Sequence, residues 1–97
     1  MVKRQGDKTM ITIQKQNVAN WLMAEYMATS HAVKEKIRLF ERKYGQTWNE
    51  FSKEVEAAAE EDFTKWDDYI EWQAYVKTAK ELAFKIDEVR HGNFTIA

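Results

Sequence analysis

A mainly α fold is expected: two long antiparallel helices with a short helix between them, and a short strand at each chain end. Three observations predict it. The chain has no proline, and its only glycines are Gly6, Gly45 and Gly92, so the stretch from residue 17 to 91 carries almost none of the residues that break helices. Apolar residues recur at three- and four-residue steps on both sides of the middle of the chain, the period of a helix face. Between those stripes, Thr47-Trp48-Asn49-Glu50 has the form of a capping box that starts a new helix. Ninety-seven residues without a composition break make one domain, residues 1–97.

Residues 1–8 (MVKRQGDK) are polar and basic and read as a frayed, disordered terminus. Residues 9–14 (TMITIQ) alternate Met10, Thr12 and Gln14 with Ile11 and Ile13, the period-2 signal of a strand. From Asn17 the period changes. Leu22, Tyr26, Val33, Ile37, Phe40 and Tyr44 form a heptad-like stripe once Ser30 takes one slot, predicting a helix over 17–44. Gly45 stands where a helix C′ glycine belongs, and Arg42 and Lys43 suit the negative end of the dipole. Ser30 also reads as a cap for a second helix, which leaves a break near residues 28–30 open.

Trp48, Phe51 and Val55 give one apolar face to a short helix over 48–59. The run Glu60-Glu61-Asp62 then favours a helix start, so a third helix is expected over 61–91. Its stripe is Trp72, Tyr75, Ala79, Leu82, Ile86 and Val89, and Gly92 ends it. Phe63, Trp66 and Ile70 widen the apolar face over its first turns. Residues 93–96 read as a second strand. An antiparallel fold-back brings both chain ends together, where they pair as a small sheet or each pairs with a partner chain.

Composition excludes several classes. Without cysteine there is neither a disulfide framework nor a thiolate metal site. No apolar run approaches the ~18 residues of a membrane span, so a cytoplasmic protein is expected, with no membrane association. Residues 1–46 carry nine Lys/Arg against four Asp/Glu, whereas residues 47–97 carry six against twelve. Such a split either marks two faces for two partners or lets the halves attract one another. Thirteen aromatic residues are a generous supply for the thin core of so short a chain, and some are expected at an interface.

For chemistry, Asp67 and Glu71 at i and i+4 offer one helix face to a divalent cation, but hard cations want six or more oxygens and no ligand loop accompanies them. His31 and His91 are far apart in sequence, and no serine sits in a nucleophile elbow. Neither catalytic residues, metal nor cofactor is expected; the chain reads as a non-enzyme.

Two surfaces invite binding. Lys3, Arg4, Lys8 and Lys15 flank the N-terminal segment and could track phosphates, although a pI near 6.1 does not favour nucleic acid. Trp66, Tyr69, Ile70, Trp72, Ala74 and Tyr75 cover most of the third helix's circumference, more than one hairpin partner can bury unless the short helix covers the rest. With Asp67, Asp68 and Glu71 around them, Trp66, Tyr69, Trp72 and Tyr75 make an acidic, aromatic surface suited to a basic protein.

Lys43-Tyr44-Gly45, the capped helix with Phe51, and Trp66-Asp67-Asp68-Tyr69-Ile70-Glu71-Trp72-x-Ala74-Tyr75 together resemble a group of small prokaryotic helical proteins. These are often regarded as antitoxin-like components of two-gene toxin–antitoxin modules. The resemblance runs from Val33 to Val89 and leaves out both chain ends. It implies masking of a cognate toxin, typically one acting on RNA, with autoregulation at DNA. The expected function is therefore a protein-interaction module, antitoxin-like, covering a basic partner. The alternatives are a structural or adaptor hairpin acting as a homodimer, and a nucleic-acid-binding regulator using the basic N-terminal half.

Overall fold

The computed structural model describes residues 2–93, with side chains from Lys15 to Asn93. Three helices follow in order: α1 (Val2–Tyr44), α2 (Trp48–Ala57) and α3 (Phe63–Arg90). Two long helices flank a short one, as the periodicity predicts, and α2 and α3 end or begin within two residues of their expected bounds. The first helix differs. The strand expected over residues 9–14 is absent; that segment, together with residues 2–8, belongs to α1, which also runs unbroken through Ser30. Six alternating residues are a weak strand signal when no partner strand stabilises them. Helix propagation from Asn17 back toward the start meets only one glycine and no proline, and each added residue gains a hydrogen bond without a new nucleus. The second expected strand, 93–96, falls mostly outside the described residues; Asn93 itself is irregular, and among the described residues no strand occurs.

Each helix end has a chemical cause. Gly45, at φ 63°, takes the left-handed conformation at the end of α1 and its amide donates to the Glu41 carbonyl at 2.7 Å. Thr47 then caps α2: its Oγ1 accepts from the Glu50 amide at 3.2 Å, and Glu50 Oε1 accepts from the Thr47 amide at 3.2 Å. Asp62 caps α3, accepting from the amides of Thr64 and Lys65 at 3.1 and 3.2 Å. At the far end Gly92 (φ 70°) donates to Val89 and Asn93 donates to Glu88, the paired bonds of a Schellman motif, with His91 as the cap residue.

α1 and α3 pack antiparallel, and α2 lies against α3 beside the turn. Phe40 stacks on Trp72, Lys43 reaches Asp68 and Lys85 lies over the Tyr26 ring, so one register holds along the hairpin. Val33, Leu82, Val89 and Ser30 are buried along it, and Ser30 occupies the slot in the stripe that its spacing predicts. At 1.5 Å per residue α1 is roughly 64 Å long and α3 roughly 42 Å. That register sets Arg90 opposite about residue 22, so the earlier turns of α1 extend past the end of α3. The molecule is accordingly a rod, 74 × 19 × 19 Å.

The core thickens only where all three helices meet. Phe51 and Trp72 are completely buried there, with Tyr69 beside them and Ile37, Phe40, Tyr44, Trp48, Val55 and Val76 packed around. Trp72 is the hub: its ring lies 5.4 Å from Phe40, 5.0 Å from Phe51 and 5.6 Å from Trp48. Offset and tilted aromatic pairs at such distances add roughly 0.5–1.5 kcal/mol each beyond the area they bury.

Candidate interaction surface

The seven residues expected to bind a partner divide into two groups. Trp72 and Tyr69 are core residues, and the Tyr69 hydroxyl donates to Glu56 Oε1 at 2.8 Å, tying α3 to α2. Asp68 is largely hidden, its side chain 15% exposed, and engaged within the chain, accepting from Lys43 Nζ at 2.6 Å and from the Tyr44 hydroxyl. Tyr75 is half-buried against Phe40, its hydroxyl donating to Glu71 at 3.1 Å. Trp66, Asp67 and Glu71 face solvent.

Electrostatics in the first group follow from those contacts. Burial alone would raise the Asp68 carboxyl, but hydrogen bonds from Lys43 and Tyr44, with the Lys43 charge, outweigh it and hold Asp68 below the ordinary carboxylate range. Burial, then the bond to Asp68 and the nearby negative charge, pushes the Tyr44 phenol well above its usual value. The bond to Glu56 raises Tyr69 and the bond to Glu71 raises Tyr75. Lys43–Asp68 joins the basic half of the chain to the acidic half. Arg38–Glu35 and His91–Asp87 are local pairs, three and four residues apart, and the hairpin sets the basic stretch of residues 34–43 beside the acidic start of α3.

The exposed apolar residues of this region are Phe63 (75% exposed), Trp66 (49%) and Ile70 (50%). Steps of three and four place them on one ridge of α3, offset from the 69/72/76 face that α2 and α1 cover. α2 therefore does not hide them. Phe63 and Ile70 stand beside Trp66 here although only Trp66 was expected among the partner-binding set. Their signal was the second stripe itself, which is too wide for one hairpin interface. Trp66 is held in place by its stack on Tyr69, 5.2 Å between centroids at 12°.

Behind the ridge, where α2 ends and α3 begins, lies a cleft of ≈ 360 Å³. Val55, Ala58, Phe63 and Trp66 form its apolar walls, and Glu54, Glu60, Glu61 and Asp62 its rim. Lys65 also lines it, 3.5 Å from Glu54.

Elsewhere, Lys15 is exposed on α1, and the side chains of Lys3, Arg4 and Lys8 lie outside those described. His31 is exposed, and His91 directs Nδ1 at the Asp87 carbonyl, 2.8 Å away, at the end of α3. Among the described residues no group of three or more His, Asp or Glu is placed to hold a metal ion, and no helix is long and apolar enough to cross a membrane. No protein-family model matches the chain, and no curated protein or solved structure matches it significantly.

Proposed function

We propose that the chain is a protein-interaction module that covers a basic partner with the outward ridge of α3. The observation that carries this reading is the ridge itself: Trp66 and Ile70 stay about half exposed and Phe63 more so, beside the exposed carboxylates of Asp67 and Glu71. Exposed aromatics in a small domain are costly in water and supply anchoring area when a partner covers them. The surrounding carboxylates steer a positively charged surface toward them. Masking of a basic toxin, as the antitoxin-like resemblance implies, is the specific form of this function. In that form Trp66, Asp67 and Glu71 touch the partner, while Asp68, Tyr69, Trp72 and Tyr75 hold the surface in shape.

The test is co-purification from a native extract of the wild-type chain and an Ile70→Ser variant, with mass spectrometry and light scattering. A stoichiometric basic protein retained by wild type and lost from the variant supports the proposal. Retention of the same protein by both, or nothing retained by either, overturns it. A second reading, a homodimeric adaptor, is favoured by Trp21 and Leu39, which are exposed on α1 away from the ridge. A concentration-dependent dimer that Trp21→Ser disrupts and Ile70→Ser does not would favour that reading.

A further inference from the structure

We infer that the cleft between α2 and α3 receives an arginine side chain carried by a basic segment of the partner. This rests on the interaction reading above and names what the partner presents. The cleft has the two properties that a guanidinium requires. Its walls are apolar and partly aromatic, so they pack the hydrocarbon stem of the side chain, and a guanidinium is more weakly hydrated than an ammonium. Trp66 offers indole surface on which a guanidinium lies flat, and the Tyr69 stack fixes that ring in place.

The rim supplies the charge. Four carboxylates surround the cleft against the single ammonium of Lys65, which is already turned toward Glu54. Asp62 spends one oxygen on the α3 amides, whereas Glu60 and Glu61 are exposed and face the opening. The helix dipole adds to this. α1 and α3 carry cations in their last turns, but the last turn of α2 has none, and it lies at the cleft through Glu54, Val55 and Ala58. Among the residues lining the cleft Lys65 is the sole cation, and with it turned toward Glu54 a partner's cation complements the remaining carboxylates at this end of α2. Arginine fits better than lysine because its planar fork donates to carboxylates while its face stacks on an aromatic ring.

The experiment titrates a peptide of alternating arginine and glycine into the isotope-labelled full chain and follows backbone and indole NMR shifts. The same peptide with citrulline in place of arginine keeps shape and removes charge. Shifts should concentrate on residues 54–66 and the Trp66 indole, and the citrulline peptide should bind at least about tenfold more weakly. Trp66→Ala, and Glu60→Gln combined with Glu61→Gln, should each weaken arginine binding by about tenfold, because the stack and the rim charge act separately. Phe84→Ala, an exposed aromatic outside the cleft, should leave it unchanged. Equal binding of the citrulline peptide, shifts spread evenly over the acidic residues of α3, or insensitivity to Trp66→Ala each overturn the inference. A natural partner that depends on Ile70 while no arginine site appears would remove this inference and leave the interaction reading standing. An arginine site without any Ile70-dependent partner would do the reverse.

Discussion

Trp72 has no exposed surface, and its Nε1 has no hydrogen-bond partner among the described residues. An indole N–H is normally satisfied when buried; here the surrounding Phe40, Trp48 and Phe51 rings offer only π faces, a weak acceptor. Two effects then oppose each other on substitution. Trp72→Ala removes the hub of the aromatic cluster and should cost about 3–5 kcal/mol in urea unfolding. Trp72→Phe removes some packing but also the orphan donor, and should cost at most about half as much. A Phe variant as unstable as the Ala variant would mean the indole N–H is better satisfied than its surroundings indicate. Asp68 gives the pH prediction. Its carboxyl titrates below the unfolded value of about 4, so its stabilising contribution is present above that pH and disappears as pH falls through the lower folded value. Tyr44 has the opposite sign: its raised phenol contributes below about pH 10 and the contribution is lost as pH rises beyond it. Asp68→Asn should flatten the acid limb of the stability curve and cost about 1 kcal/mol near neutrality, discounted because Lys43 is half exposed.

The elements are held by their ends. Thr47 and Glu50 satisfy each other's amides across the first turn of α2, a helix of 10 residues too short to persist alone. Thr47→Ala should cost about 1 kcal/mol by thermal denaturation, and Thr47→Ser much less, because Ser keeps the accepting oxygen. A loss confined to α2 would appear as reduced protection around Phe51 and exposure of Trp48. At the end of α1, Gly45→Ala places a Cβ in the left-handed region and should cost about 1 kcal/mol although nothing crowds the position. These caps were legible as residue types at fixed offsets. The N-terminal strand was read from an equally local pattern and is helix instead, because a strand needs a second strand whereas a helix closes its hydrogen bonds within itself.

At the scale of the molecule, stability is graded along the rod. The three-helix end holds Phe51, Tyr69 and Trp72, and the hairpin beyond it narrows to Ser30, Val33, Leu82 and Val89. Past the end of α3, no helix among the described residues lies against α1. Amides between Lys15 and Trp21 should therefore exchange with lower protection than those between Val33 and Tyr44, measurable by native-state hydrogen exchange. Uniform protection from Lys15 to Tyr44 would instead indicate that a second chain covers the overhang in solution.

The sequence by itself determined the helical class, the positions of α2 and α3 to within two residues, the Thr47–Glu50 capping box, the glycines that end α1 and α3, and the stripe that unites Leu22 to Tyr44. Each is set by short-range chemistry: steric breakers, side chains that bond their own backbone, and a period of 3.6. It also contained every residue of the acidic, aromatic surface. Which of those residues face the core was decided only by tertiary structure. Tyr69, Trp72, Phe63, Trp66 and Ile70 together cover most of one helix, and periodicity cannot say which part of that circumference a neighbour covers. The packing of α1 and α2 against α3 decides it, burying Trp72 and Tyr69 and leaving Phe63, Trp66 and Ile70 outside. The cleft has the same origin, since its walls come from two helices whose approach depends on packing rather than on either helix's own sequence pattern.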